Sequence, residues 1–461
     1  MTRAVESTLW LAILAALVAA NGISPIAVPL CVVISAAILA FLLLVSWCRF
    51  DGGRHPCFLF LGMLLVFQGG RLVGSVLGIT RDPVRIEVAT AIPLDVTDAS
   101  ARIALFLIVA SGIFVYIPCL LQYSPAHLSR SEKSGWLSAL YVVILLTFPF
   151  ALYKNLMYLL YIRAHGGYLV VYTDNAAVLQ SAGPIARAVS IVCATALLIA
   201  YVVERRRGRV AAVLLLYFGL SALDLLIGFR GKVFTGVLSI WLLHNLKTGR
   251  RFHLVSIAVA AIAVNTIAIA VAAYREDNRI KMLSPIAFLA GQGVSMNVTE
   301  AAVEYRDRFR RHGFDYVIDG FTSGINPSTS KAEGKLWTND LTTYLNPAAA
   351  RLGFGTASAY LAELYLLGGI PAVLAGSVVV GGILSYLHRI SSSTLGAITL
   401  AFVLPSLIYL PRVELLNPLA VLCKSAGACL VVAAGVIAAR CLIDPLGGQG
   451  PRAASVTLAP E

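Results

Sequence analysis

IAVPLCVVISAAILAFLLLVSW, residues 26–47, runs through twenty-two positions without a charged side chain. As a helix rising ~1.5 Å per residue it crosses about 30 Å of hydrocarbon. In that medium only a helix or a closed barrel pairs all of its backbone polar groups. The same pattern recurs along the chain, and about twelve such runs can be read: Leu9–Gly22, Ile26–Trp47, Pro56–Ile79, Ile103–Leu121, Trp136–Asn155, Ile185–Val203, Val210–Phe229, Val233–Leu246, Leu254–Ala273, Ser358–Leu387, Leu395–Leu410 and Leu419–Ala439. The first and eighth are short and the tenth is long.

Composition agrees. Of 461 residues 59% are hydrophobic and 13% charged, too few polar side chains to cover a water-soluble globule of that size. The expected fold is all-α: a polytopic integral membrane helical bundle of about twelve transmembrane helices. One polar stretch interrupts it. Residues 1–273 hold spans one to nine, 274–357 form a large extracytoplasmic loop, 358–445 hold spans ten to twelve, and 446–461, rich in Gly, Pro and Ala, form a tail.

Short connections fix the orientation. Arg49 and Arg54, Arg130 and Lys133, Arg205 to Arg209, then Lys247, Arg250 and Arg251, and finally Arg389 and Arg440 fall on alternate loops, the positive-inside pattern. Both termini are then cytoplasmic and the long loop faces outward. Val18-Ala19-Ala20 imitates a signal cleavage site, but the first run is expected to be retained as a helix. All eight cysteines sit in or beside apolar runs, so the loop must order by packing and not by disulfides. The net charge of +13 is split between inner loops and the outer surface, and nucleic acid is not an expected partner.

Counting at ~1.5 Å per residue brings several ionisable side chains to one depth near the outer face. They are Arg71, Lys154, Asp224, Glu363 and Lys424. Charges inside a bilayer must face one another or a wet cavity. An Arg71–Asp224 pair locking two helices is one reading; the excess of cations in the whole set points instead to an anionic ligand. More arginines ring the same mouth: Arg230-Gly231-Lys232 in a tight outer turn, Arg275 after the ninth span, and Arg412 with Glu414 where the eleventh emerges. Guanidinium groups grip phosphate oxygens in pairs, although each alone is equally a snorkelling interfacial residue.

Within the loop, 284–311 reads as an amphipathic helix on the membrane surface or over a cavity. Ile286, Phe288, Leu289, Val294 and Met296 supply its apolar side, and Glu300, Glu304, Arg308 and Arg311 its polar one. Inside it, Gly291-Gln292-Gly293-Val294-Ser295 combines two glycines that permit close backbone approach with hydrogen-bonding Gln292 and Ser295. From 312 to 351 the chain mixes turn residues with Phe314, Tyr316, Phe321, Trp337 and Tyr344. Such aromatics suit either sugar faces or interfacial anchoring.

Phe288-Leu289-Ala290-Gly291-Gln292-Gly293-Val294-Ser295, then Gly353-Phe354-Gly355-Thr356-Ala357-Ser358 leading into Ala362-Glu363-Leu364-Tyr365 and Gly368-Gly369, together with the turn at Arg230, resemble the O-antigen polysaccharide polymerase (Wzy) family. The resemblance covers the half of the chain from the seventh span onward. It implies a membrane glycosyltransferase in a bacterial inner membrane, acting at the periplasmic face. The implied donor and acceptor are undecaprenyl-pyrophosphate-linked glycans, membrane lipid surrounds the site, and a chain-length regulator (polysaccharide co-polymerase) is a further partner to consider. O-antigen ligases share the architecture and differ in acceptor.

For that chemistry Glu363, Arg230, Arg275 and Arg412 are the expected catalytic residues, with Arg71, Asp224, Lys232, Gln292, Ser295, Lys424 and Tyr344 binding substrate. The arginines would stabilise the departing diphosphate, and a carboxylate would take the acceptor proton. Glu363 matches the family motif, while Asp315, Asp319 and Asp340 stay open as alternatives. His312 reads as a surface residue. No His/Cys cluster or Asp-x-Asp pair with ligand spacing occurs on the outer side, so neither metal nor cofactor is expected there. A secondary transporter is the non-enzymatic alternative, disfavoured because the two halves are dissimilar and the charges gather at the mouth, away from the midplane.

Overall fold

The structure is a computed structural model that describes residues 2–23, 25–79, 94–125, 136–165, 167, 170–228, 230–253, 285–326, 335–351, 355, 356 and 358–443, with 256, 259, 263, 266, 267, 269 and 270. Among the described residues every regular element is helical: α1 (Arg3–Ile23), α2 (Val28–Arg49), α3 (Pro56–Phe67), α4 (Gly70–Val76), α5 (Asp98–Leu121), α6 (Leu137–Ala164), α7 (Val170–Thr173), α8 (Asn175–Ser181), α9 (Gly183–Val203), α10 (Arg207–Ile227), α11 (Arg230–Thr248), α12 (Pro285–Gln292), α13 (Val294–Glu304), α14 (Arg306–Phe309), α15 (Gly313–Ile325), α16 (Trp337–Leu345), α17 (Pro347–Arg351), α18 (Tyr360–Ile390), α19 (Thr394–Tyr409) and α20 (Asn417–Ile443). A 3-10 turn, Leu410–Arg412, continues α19.

Nine helices among the described residues are long and apolar enough to cross a membrane, or ten if the bent pair α3–α4 counts as one span. They coincide with ten of the twelve runs read from sequence. The eighth run forms α11, which carries Arg230, Lys232, His244, Asn245 and Lys247 in its 19 residues and is not among the qualifying helices. The ninth run, Leu254–Ala273, lies largely outside the described residues, as does the tail 446–461.

The core is built on α5, which packs along α18, while α6 packs along α9. Small residues set the distances. The backbone of α18 at Gly381 lies directly against the carbonyl of Val115 on α5, a contact any Cβ would prevent. At one end of the bundle the loops expected to be cytoplasmic meet. Arg49 pairs with Glu6 at 2.7 Å and Arg251 with Asp51 at 2.7 Å. Lys247 donates to the last carbonyls of α9, at Tyr201 (2.9 Å) and Glu204, satisfying acceptors that a helix end leaves open.

Two local features depart from straight spans. The third run bends by 60° between α3 and α4, where Gly69 and Gly70 supply no side chain and the buried Gln68 donates to the carbonyl of Pro411 at 2.9 Å. The depth of Arg71 therefore does not follow from a straight-helix count. In α18, Gly369 adopts φ 68° and ψ −153°, a conformation reserved for glycine, and Pro371 follows. The Gly368-Gly369 pair is a break in the span.

The expected surface helix over 284–311 is corrected to three helices, α12, α13 and α14. Residues 295–303 of α13 are buried around the whole circumference, against α5 and α18. Of the polar positions that suggested a wet face, Glu300 is buried and pairs with Asn297 inside the bundle, whereas Arg308 and Arg311 are exposed. The described cysteines are all free, and none of them belongs to this segment. Phe309, Tyr316 and Trp337 form an aromatic core, with Phe309 and Trp337 edge to face at 5.1 Å.

Candidate functional site

Arg71, from the first turn of α4, is buried and donates to Asn297 of α13. Asn297 in turn donates to Glu300 at 2.7 Å, one turn along the same helix face. Thr299 donates to Gln68 at 3.2 Å. The motif glycine Gly293 lies against the backbone of Gly70 and Arg71, so α13 enters where no side chain intervenes. Ser295 is buried beside it. Arg71, Gln68, Asn297 and Glu300 thus make a polar seam between the broken span and the long segment. Asn297 and Gln68 were missed in the sequence; the signal was a buried arginine needing acceptors.

A second group centres on the connection from α19 to α20. Arg412 donates to the side chain of Gln292 at 3.0 Å and to its carbonyl at 3.3 Å, with its guanidinium 5.2 Å from the centre of the Phe67 ring. Glu363, in the first turn of α18 and 1% exposed, accepts from Ser358 at 3.0 Å and from the Leu415 N–H at 2.9 Å. Neither partner is an arginine. Glu414 is packed against Gly320 of α15, and burial holds its carboxyl above the usual range, because the charged form loses solvent.

Beside this connection opens a cavity of ≈ 510 Å³. Lys154 and Asp224 line it, 3.9 Å apart. So do Tyr409, Val413, Asn417 and Lys424, the last donating to the carbonyl of Gly324 on α15. Gly231, in the turn that opens α11, sits under the Tyr409 ring. That contact brings the backbone of Arg230–Lys232 to the cavity; the side chains of Arg230 and Lys232, and all of Arg275, lie outside the described residues.

The sequence reading expected one mouth. The structure brings Asp224 and Lys424 together with Lys154, and Arg412 together with Gln292 and Phe67. Tyr409 joins the two groups: it lines the cavity and packs edge to face on Phe67 at 5.3 Å. Tyr344 stands apart under Arg308, 4.2 Å from its ring centre. Among the alternative acids, Asp340 accepts from the buried Tyr316 hydroxyl at 2.8 Å, and Asp315 is exposed beside His312 at 3.5 Å. Arg306 was not foreseen: its guanidinium lies 5.4 Å from the Tyr365 ring centre, against the Gly369 break.

Two residues of the sequence motifs are therefore anchors: Gly293 for α13, and Thr356, whose N–H donates to Thr342 at 2.9 Å and so holds the approach to α18 on α16. No curated protein and no solved structure matches the chain. The family model described as "O-antigen polysaccharide polymerase Wzy" matches residues 7–438, which takes in the broken span, the polar seam, the cavity and the Glu363 motif alike, and the chain belongs to that family of membrane-embedded polymerases of O-antigen polysaccharide.

Proposed function

We propose that this polymerase joins undecaprenyl-pyrophosphate-linked repeat units at the periplasmic face of the bacterial inner membrane, with the cavity beside the 410–417 connection receiving the diphosphate. The observation that carries the reading is that connection itself. Within eight residues it presents Arg412, the Glu414 carboxyl, the amide held by Glu363, and cavity-lining Val413 and Asn417.

In this reading an acceptor hydroxyl oxygen attacks C1 of the donor sugar. The glycosidic bond forms as the C1–O bond to the diphosphate breaks, and the diphosphate leaves with the electron pair. Lys154 and Lys424, which line the cavity, face the charge that develops on it, with Arg412 on the adjoining connection. Glu414 takes the hydroxyl proton: its raised proton affinity, caused by burial, suits a base working near neutral pH. Glu363 is a positioning residue, since both of its oxygens are already engaged.

Purified protein incubated with a lipid-linked repeat unit should give a ladder of products on a gel. A single addition onto lipid A in place of a ladder makes it a ligase, and movement of substrate across vesicles without a new glycosidic bond makes it a transporter. The sidedness is checked independently by labelling Thr343→Cys, an exposed position on α16, with an impermeant thiol reagent on spheroplasts; labelling only after lysis would reverse the proposed face.

A further inference from the structure

At the end of the bundle opposite the candidate site, His55, Cys57 and Cys119 come together, and one ligand atom from each lies within 4.8 Å of the other two. All three residues are 0% exposed. The local sequence builds this arrangement. His55 caps α3, its Nδ1 accepting from the Cys57 N–H at 3.1 Å, and Pro56 starts the helix. Cys57 is thereby fixed in the first turn. Cys119 comes from the last turn of α5, its thiol donating to the Gly381 carbonyl of α18 at 3.3 Å. The His55 ring is stacked on Phe50 at 4.6 Å.

His388 of α18 completes the picture. Its ring centre is 4.4 Å from that of His55, and its Nε2–H donates to the Ser124 carbonyl at 3.0 Å. That bond leaves Nδ1 with a free electron pair. Both His388 Nδ1 and His55 Nε2 are buried without a hydrogen-bond partner among the described residues. Buried polar atoms normally find partners. Because His55 Nδ1 accepts the Cys57 N–H, its Nε2 bears the ring proton, so ligation through either nitrogen gives up that hydrogen bond; the imidazole and the two buried thiols are then a donor set that a soft cation takes. A ligating histidine fixed through its other nitrogen by a backbone carbonyl is the usual supporting arrangement.

We propose that His55, Cys57 and Cys119, with His388 able to supply a fourth donor, bind one thiophilic cation of the zinc or copper(I) type. The cation would replace the two thiol protons, which pass to solvent as the Sγ–metal bonds form, and both the Cys119–Gly381 hydrogen bond and the Cys57 N–H bond to His55 are given up in exchange. Two sulfurs and one imidazole nitrogen are three of the four ligands of tetrahedral zinc, and the His388 ring beside that of His55 is the candidate for the fourth. The site would staple α3, α5 and α18 at the end remote from the cavity, and it takes no part in sugar transfer.

The test is metal content, measured on the full chain purified in detergent without chelator. The expected result is about one zinc or copper per chain, with a thiolate-to-metal charge-transfer band on titration of the stripped protein with Co²⁺. Metal and band should be lost in Cys57→Ala and in Cys119→Ala, and kept in Cys48→Ala and Cys423→Ala, whose thiols are exposed. If the first two variants do not fold, the wild-type content and its Co²⁺ titration decide. Less than about a tenth of an equivalent of any transition metal together with no thiolate band overturns the proposal, and so does a Cys57–Cys119 disulfide found by peptide mass.

Discussion

Glu363 accepts a hydrogen bond from the Leu415 N–H at 2.9 Å, so the first turn of α18 holds the connection that bears Arg412 and Glu414. Its other oxygen takes the Ser358 hydroxyl. Glu363→Gln has one carbonyl oxygen for these two donors, and its amide nitrogen must face one of them. A hydrogen bond to a carboxyl of this kind contributes about 1.5–3 kcal/mol, so polymerisation should fall roughly ten- to a hundredfold with protein abundance unchanged. Chain length of the lipid-linked glycan in cells carrying the variant is the readout. Single repeat units should accumulate; an unaltered ladder removes Glu363 from the positioning role.

Gly293 and Gly291 stand two residues apart in the same motif and should answer oppositely to alanine. A Cβ at Gly293 collides with the backbone of Arg71 and Gly70, whereas a Cβ at Gly291 meets nothing within 4 Å. Gly293→Ala must push the α12–α13 junction off α4, at a cost of about 1–3 kcal/mol for overpacking, and should lower both thermal stability and activity. Gly291→Ala should leave both near wild type. Equal effects at the two positions would contradict the packing of α13 into the broken span.

Glu304 ties the end of α13 to the start of α5 by accepting from the Thr97 N–H at 2.9 Å and its hydroxyl at 2.8 Å. Partial burial alone would raise its carboxyl; the hydrogen bonds from Thr97 and Ser100 outweigh that and hold it below the usual range. A depressed carboxyl stabilises the fold above its unfolded value, about 4.3, and that contribution disappears as pH falls through the folded value. Glu304→Gln should therefore lower the unfolding temperature at neutral pH, by an amount worth ~1 kcal/mol for this solvent-screened contact. The gap between wild type and variant should close on acidification. A gap constant down to pH 3 would mean that the charge does not matter.

Much of this arrangement was legible in the sequence because hydrophobic periodicity reports directly on membrane crossing: ten of the runs became the qualifying helices, and the alternation of basic loops brought Glu6, Arg49, Asp51 and Arg251 to one end. The grouping of Asp224 with Lys154 and Lys424 followed from counting depth along the helices, whereas the pairing of Arg412 with Gln292 did not. What the sequence hid was partnership. Arg308 and Arg311 on the polar side of 284–311 are exposed as read, but the turn around Glu300 is buried because Arg71 and Gln68, the partners of Asn297 and Thr299, lie more than two hundred residues earlier. The bend after Phe67 was hidden for a related reason: Gly69 and Gly70 permit it, but the Gln68–Pro411 bond that directs it is distant in the chain.

Arg412 should be more sensitive than the residue it holds. Arg412→Ala removes a cation facing the cavity connection, and loss of one donor aimed at developing charge typically costs about 2.7–4 kcal/mol of transition-state stabilisation. Gln292→Ala removes only the partner that orients it and should cost less. Lysine at 412 should restore little, because its compact ammonium lacks the planar contact with Phe67 and the forked grip on phosphate oxygens. Turnover of the three purified variants on one lipid-linked substrate gives the ranking; an active Arg412→Ala would return this arginine to the status of an interfacial anchor.

Glu414 gives the reaction its pH dependence if it is the base. Only the ionised carboxylate accepts the acceptor proton, so kcat/KM should fall as pH drops through the Glu414 value. Burial raises that value, which puts the acid limb above the ordinary carboxyl range near 4.3 and closer to neutrality. Glu414→Gln should reduce kcat/KM by about a hundredfold or more, and its residual activity should lose the limb, since the amide does not titrate. Glu363→Gln separates the two roles: it should slow turnover while keeping a limb, because the base survives in a displaced position. A Glu414→Gln enzyme that retains the wild-type limb would move the base to another carboxyl of the long segment, with Asp319 of α15, half-buried one residue from the Gly320–Glu414 contact, the next to substitute.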